Sequence, residues 1–210
     1  ELASEVIDPG AYILMGSEDI GAHLLVELDL GNGSSNSDAI QLVDHEGAIV
    51  DTVVYGNPNS DAWLDDLGLE ADSLAPTASA GWSIARTVDG VDTDRSGEDF
   101  SVLDAPTPAR SNVVIDDVDV PGDDTGMMTS DCEGGDWIKL NEVMVNPDGA
   151  DGGGEWIELY NAGTGTVNLG GWALQSGKNG SYGGILSFSS SLNLSPGGFL
   201  LVGDDGVPDT

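Results

Sequence analysis

Short apolar runs of period two, separated by glycine and proline, constrain this chain more than any other feature. Ile40 and Leu42 alternate with polar residues in one run, and Ile49, Val53 and Tyr55 share a face in the next. A period of two places every second side chain on the same face of a β-strand, where it can meet a core. The 31 glycines and nine prolines are typical of the many turns of an all-β protein. We therefore predict a β-sandwich.

Strands are predicted along most of the chain. Asp44-His45-Glu46-Gly47 separates two of the runs and is typical of a hairpin turn with a glycine near its end. Residues 60–69 are the one segment expected to carry a helical turn. The alternation in 81–87 predicts that Trp82 and Ile84 both face the core. The predicted strands are residues 39–44, 48–55, 81–87, 138–145, 155–161, 167–175, 184–188 and 198–202.

Two similar segments suggest a tandem of domains. Ile7–Gly16 and Leu194–Gly203 each place a Pro-Gly turn before a short apolar strand, 187 residues apart. That distance is too long for a solenoid unit and fits two copies of a whole domain, although chance similarity is the alternative. We predict the closing portion of one domain in residues 1–112, an acidic linker in 113–135, and the opening portion of a second domain in 136–210.

Either portion alone would expose an apolar face and unpaired strand edges. We therefore expect the two portions to pack as one permuted sandwich, with Trp82 and Ile84 against Leu159 or Trp172. A linker of about 20 residues can reach, since an extended chain covers roughly 3.3 Å per residue. One of the two Pro-Gly strands should then be peripheral. In a longer protein, each portion should complete itself with its own neighbour.

The net charge of the chain excludes some classes of binding partner. Thirty-eight acidic residues face five lysines and arginines, which gives a formal net charge of −33. Such a charge repels nucleic acid and anionic membrane surfaces, and it suits a calcium-rich or salty exterior. No apolar stretch approaches the roughly 18 residues of a membrane helix, so membrane insertion is not expected. Cys132 has no partner cysteine here, so its pairing stays open.

The acidic loop from Asp89 to Asp99 is the best metal candidate. Asp92-x-Asp94-x-Ser96-Gly97 matches the opening of a calcium loop, in which alternate oxygens wrap the ion. Leu103 stands where such a loop needs a bidentate glutamate, so a solvated turn is the competing interpretation. Calcium is the only cofactor that the sequence suggests. Its candidate ligands are Asp89, Asp92, Asp94 and Asp99.

Catalytic patterns are weak. A pair of carboxylates among Glu142, Glu155 and Glu158 could catalyse glycoside hydrolysis if the two lay at the right distance from each other. Hydrogen bonding within the sandwich is the simpler interpretation of these residues. No zinc, nucleotide or serine-hydrolase motif is present in the sequence. Among five tryptophans, Trp156 lies on the strand face opposite its apolar neighbours. It is therefore predicted to be the most exposed ring, and a weak candidate for stacking on a glycan.

Several motifs resemble a known family, the lamin-tail domain. Those of its opening half are Leu140–Val143, Gly154–Asn161, Leu169–Leu174 and Leu194–Phe199, and those of its closing half are Ala39–Leu42, Gly47–Gly56, Ser83–Arg86, Asp92–Asp94, Asp99–Phe100 and Thr107–Asn112. Ala109 departs from the family pattern, which usually has glycine there, and we expect only a local turn change. The resemblance implies an immunoglobulin-like β-sandwich without catalytic machinery. The resemblance also implies similarity to accessory domains of secreted bacterial proteins.

These observations predict a non-catalytic structural or interaction module of a secreted or cell-surface bacterial protein. Its partner would be another protein or a surface polymer. One alternative is a calcium- or glycan-binding module. Another is an accessory domain of a large secreted hydrolase whose catalytic domain lies outside this chain.

Overall fold

The computed structural model describes residues 5–7, 12–15, 26, 28–112, 137–149, 153–190 and 192–203. Within them, strands dominate and the single helix α1 has four residues, so the described part of the chain offers no helix of a length that could cross a membrane. The elements are β1 Glu5–Ile7, β2 Tyr12–Met15, β3 Asp38–Val43, β4 Ile49–Tyr55, β5 Ser83–Arg86, α1 Ser96–Asp99, β6 Phe100–Leu103, β7 Ile138–Met144, β8 Trp156–Asn161, β9 Val167–Asn168, β10 Ala173–Lys178, β11 Ser181–Ser187, β12 Leu192–Leu194 and β13 Phe199–Gly203.

The strands form two main sheets that share one core. The order is β11-β10-β3-β4 in the four-stranded sheet and β2-β13-β8-β7-β5-β6 in the six-stranded sheet, and a small third sheet has the order β1-β12-β9. Ile40 and Leu42 of the first sheet lie in the same buried cluster as Ile84, Leu159 and Leu200 of the second. Apolar faces of two sheets that pack on each other define a sandwich. The predicted all-β, immunoglobulin-like sandwich is confirmed.

Both portions of the chain contribute to each main sheet. Strand β10 pairs antiparallel with β3, so that Leu174 lies opposite Leu42. Strand β5 pairs antiparallel with β7, so that Ile84 lies opposite Val143. Strands from before and after residues 113–136 therefore pack in one sandwich, and its origin as a permuted domain stays a prediction. The domain limits at 112 and 135 stay a prediction, and the proposed linker lies outside the described residues.

The two Pro-Gly strands lie side by side. Strand β2 pairs in parallel with β13, with Tyr12 opposite Phe199, and β1 pairs in parallel with β12, with Ile7 opposite Leu194. The offset in both pairs equals the repeat distance of the sequence. Strand β2 occupies the edge of the six-stranded sheet, so one Pro-Gly strand is peripheral, as expected.

Three local predictions were wrong. The single strand predicted over 167–175 is two strands, β9 and β10, because the chain turns at Gly171 with φ +83. Residues 60–69 form a hydrogen-bonded turn, and the helical turn lies at α1 instead. Trp82 precedes β5 and is 41% exposed, whereas Ile84 within the strand is fully buried.

Candidate functional site

A buried cluster of charges around Arg86 joins the two sheets. The Nη2 group of Arg86 on β5 donates to both carboxylate oxygens of Asp51 on β4, at 2.9 and 2.8 Å. Its Nε donates to the carbonyl oxygen of Leu140 on β7, at 2.7 Å, and the guanidinium lies 4.6 Å from the ring centroid of Phe100. Because both charged side chains are fully buried, they depend on these contacts. The cluster fastens three strands from both portions of the chain.

Asp66 extends this cluster towards the surface. One carboxylate oxygen each of Asp51, Asp66 and Asp92 lies within 4.8 Å of the other two. Burial and the neighbouring charges of Asp51 and Asp92 raise the pKa of Asp66 to about 8. Lys139 lies 2.7 Å from Asp92 and, together with Arg86, lowers the pKa of Asp92 although burial opposes the shift. Asp66 is therefore protonated at neutral pH, whereas the neighbouring Asp51 and Asp92 are paired with Arg86 and Lys139.

The four predicted calcium ligands do not lie at one point. Asp99 accepts hydrogen bonds from the backbone N and Oγ1 of Thr93, at 3.0 and 2.8 Å. Asp92 pairs with Lys139 and accepts from the backbone N of Asp94, whereas Asp89 bonds to the segment before residue 113 and to β7. Among the described residues, the group of three acids at ligand spacing is the one that contains Asp66. Calcium at the predicted loop stays a prediction.

Glu142 and Glu158 attach the 107–112 segment to the six-stranded sheet. The carboxylate of Glu142 accepts from the backbone N of Thr107 at 3.0 Å and from its Oγ1 at 2.8 Å. Glu158 accepts from the backbone N of Ala109. Burial raises the pKa of both glutamates, and that of Glu158 rises well above its ordinary value. Both carboxylates therefore hold the closing segment of one portion on strands of the other.

The tryptophan predicted to be exposed is buried. Trp156 is 1% exposed and packs with Met144 and Leu201 in a second apolar cluster. The prediction assumed that one face of β8 meets solvent. Because five of the six residues of β8 are buried, on both of its faces, alternation does not separate an exposed side from a buried one. Trp156 therefore offers no exposed ring to a glycan.

A polar cleft of about 320 Å³ lies where the two portions meet. Lys178 on its rim donates to Asp29 at 2.7 Å. Glu155, which is buried, accepts from the backbone N of Leu30 at 3.0 Å. Burial raises the pKa of Asp38, which also lines the cleft. The carboxylate of Glu155 thus supports the wall of the cleft from the opposite portion of the chain.

The segment from Trp63 to Ala71, which we call the leucine turn, is a site that sequence reasoning missed. Leu64, Leu67 and Leu69 within it are 40%, 66% and 62% exposed. The backbone N of Ala71 donates to the carbonyl of Trp63 at 2.8 Å and closes the turn. The signal available in the sequence is WLDDLGL, in which three leucines lie close to two adjacent aspartates.

The second portion of the chain is similar to a known family. Residues 134–209 match the model of the Lamin Tail Domain. The chain carries a lamin-tail-like segment. This match covers β7 to β13, and no curated protein and no solved structure matches the chain. Origin of the chain in two lamin-tail copies stays a prediction.

Ala109, where glycine was expected from the sequence, has a backbone conformation that favours glycine. Ala109 has φ +62, in the left-handed region that favours glycine. The strained turn points its backbone N towards Glu158 of the matched segment. A glycine in this place would make the same turn without the steric cost.

Proposed function

We propose that this protein is a structural and interaction module of a secreted or cell-surface bacterial protein, and that it performs no catalysis itself. Lamin tail domains are non-enzymatic interaction modules of immunoglobulin-like fold. The module would present its turns and sheet edges to a protein or surface polymer. If the full protein is a hydrolase, this chain would be its accessory domain.

The use of the buried carboxylates supports the proposal most directly. Glu142 and Glu158, the residues closest to a catalytic pair in the sequence, accept hydrogen bonds from Thr107 and Ala109. Removing such bonds would release the closing segment rather than free a catalytic group. The large acidic charge supports an extracellular setting, in which it keeps the protein soluble.

The proposal can be tested by locating the protein in the cells that produce it and by identifying what it contacts there. Intact cells and culture medium would be treated with an external protease and then with an impermeant cross-linker, and the chain would be followed by antibody. The proposal expects cleavage on intact cells or release into the medium, together with a specific cross-linked partner. Recovery solely from the cytoplasm, or an absence of cross-links, would reject it.

Calcium binding is a second candidate function, and one unpaired buried oxygen atom favours it. Within the described part of the chain, Oδ1 of Asp66 is buried without a hydrogen-bond partner beside Asp51 and Asp92. An ion there would have to compete with the amine of Lys139. Calorimetry with calcium should show saturable heat that Asp66→Asn abolishes and that Asp104→Asn, at an exposed position, retains. Heat that both variants retain, or none at all, would remove this candidate.

A further inference from the structure

We propose that the leucine turn docks a cationic protein segment whose apolar side chains cover its leucines and whose lysines or arginines face the surrounding carboxylates. This inference rests on the proposed interaction function, and it adds the surface and the chemistry of the partner. Three features of the turn carry it: apolar exposure, a fixed shape and an excess of acidic side chains.

Apolar exposure is concentrated at this turn. Leu67 and Leu69 are the two most exposed of the large apolar side chains in the described part of the chain, and Leu64 is only three residues away. Single exposed leucines are ordinary on protein surfaces, but three exposed leucines within six residues concentrate apolar surface in one turn, as interaction sites do. Val91, 41% exposed, precedes Asp92, whose carboxylate lies within 4.8 Å of that of Asp66 in the turn.

The turn is also built to hold its shape. The backbone N of Asp65 donates to the carbonyl of Leu69 at 2.8 Å, and the backbone N of Leu69 donates back to Oδ1 of Asp65 at 2.9 Å. The side chain of Asn59 spans the base, since its amide donates to the carbonyl oxygens of Trp63 and Ala71, each at 3.1 Å. These contacts fix the leucines outward. A surface fixed before binding loses less conformational entropy when a partner arrives.

Trp63 anchors the turn to the sandwich. Its indole Nε1 donates to the carbonyl of Ser37 at 2.9 Å, and its ring meets that of Tyr182 edge-on at a centroid distance of 4.9 Å. The ring also covers Gly177 on β10 so closely that a Cβ there would lie 2.8 Å from it. One aromatic residue of the turn is therefore buried while the three leucines are left in solvent, so exposure is not a consequence of poor packing.

Charge decides which occupant fits. The segment from 60 to 73 contains five acidic residues and no lysine, arginine or histidine. Asp66 holds a proton at neutral pH and Asp72 pairs with Arg95, so the acidic residues that a cationic partner would face are Asp61, Asp65 and Glu70. A partner of opposite charge is attracted and oriented by such a rim. A second copy of this chain carries the same net charge of −33 and would be repelled. Residues 113–136 of the same chain have eight acidic and no basic residues, so they are poor occupants for the same reason.

Peptide selection on the full chain tests the inference. A random peptide library displayed on phage would be selected on the wild-type protein and counter-selected on the double variant Leu67→Ser, Leu69→Ser. We expect enriched peptides to combine lysine or arginine with large apolar residues. Their affinity should fall about tenfold or more in the double variant and should weaken as salt rises. The matched control is Val88→Ser, at a residue 50% exposed outside the turn, which should bind like the wild type.

Each other result overturns the inference. Absence of enrichment, or peptides that bind the double variant as tightly as the wild type, would show that the leucines dock nothing cationic. Light scattering that shows a dimer lost in the double variant would assign the turn to a second copy. Hydroxyl-radical footprinting that finds the leucines protected in the isolated chain would assign it to a segment of this chain. If the cellular cross-link persists in the double variant, the proposed function stands and this inference alone fails.

Discussion

At the scale of single residues, a few buried charges decide how the sheets are joined. Arg86 is one of only five basic residues in the chain, and its side chain is fully buried. It contacts Asp51 on the opposite sheet and the carbonyl oxygen of Leu140. A buried ion pair need not stabilise a protein relative to an apolar pair, but removing one partner leaves the other charge uncompensated.

Arg86→Met should therefore destabilise the protein strongly. We expect the free energy of unfolding to fall by about 3–5 kcal/mol, because Asp51 would stay buried without its counter-ion. Urea denaturation followed by tryptophan fluorescence would measure the change. Arg95→Met is the matched control, since Arg95 is 44% exposed in its side chain and pairs with exposed Asp72 and Glu98, and it should leave stability unchanged within error. Equal losses in both variants would contradict the structural role of Arg86.

Asp66 predicts a dependence of stability on pH. Its pKa is about 8 in the folded protein and near its ordinary value of 3.8 in the unfolded chain, so folding takes up a proton between these values. The stability that Asp66 contributes is therefore lost as pH rises towards 8, at up to about 1.4 kcal/mol per pH unit. Asp66→Asn should lose less unfolding free energy than the wild type between pH 5 and 8. Asp72→Asn, at an exposed site, should follow the wild type; identical slopes in all three proteins would refute the assignment.

Alternation predicted which residues of a strand join the shared core, but not whether its other face meets solvent. It places Ile40 and Leu42 in the core correctly, although Ala39 and Gln41 on the other face of β3 are buried as well. It fails for Trp156, because residues on both faces of β8 are buried, and for Trp82, because the strand begins one residue later. The Arg86–Asp51 pair joins positions 35 residues apart, and no local pattern indicates such a contact.

At the scale of elements, close approaches of the backbone locate the turns. Gly56, directly after β4, has φ +84, and a Cβ there would lie 2.4 Å from the carbonyl oxygen of Gly33. Gly47, in the β3–β4 hairpin, has φ +83 but no atom within 4 Å of the same position. Both turns require glycine for their backbone angle, and one of them also requires it for space.

Alanine substitutions at Gly47 and Gly56 separate the cost of the left-handed backbone angle from the cost of a steric clash. Gly47→Ala should cost about 1–2 kcal/mol of unfolding free energy, from the left-handed backbone alone. Gly56→Ala should cost about 1–3 kcal/mol more, because its methyl group meets the backbone of Gly33 and the segment before β3 must move. Thermal and urea denaturation of both variants would measure the difference. If the two variants lose the same stability, the close contact between these segments is not present in solution.

Strand existence is predictable from sequence at this scale, but strand partners are not. The hairpin of β3 and β4 follows from its turn, since neighbouring runs joined by a short loop pair with each other. The break between β9 and β10 depends on the backbone angle of Gly171, which the sequence alone does not give. The leucine turn was unpredicted because its shape comes from Asn59 and Trp63, whose hydrogen bonds are not visible as a periodic pattern.

At the scale of the whole molecule, the two portions of the chain are each incomplete alone. Every main sheet contains strands from both, and their side chains share one buried cluster. The sequence predicts this joint packing because each portion has an apolar face to bury. The order of strands could not be predicted, since it depends on contacts such as Ile84 with Val143 that lie far apart in the chain.

The account depends on non-covalent association of the two portions, and cleavage between them tests it. A protease recognition sequence would be inserted after Gly126, and the folded protein would be cut and passed through size-exclusion chromatography with light scattering. We predict that both fragments elute together at the mass of the uncut chain and unfold in a single urea transition. Fragments that elute separately, or that unfold in two independent transitions, would contradict a shared core.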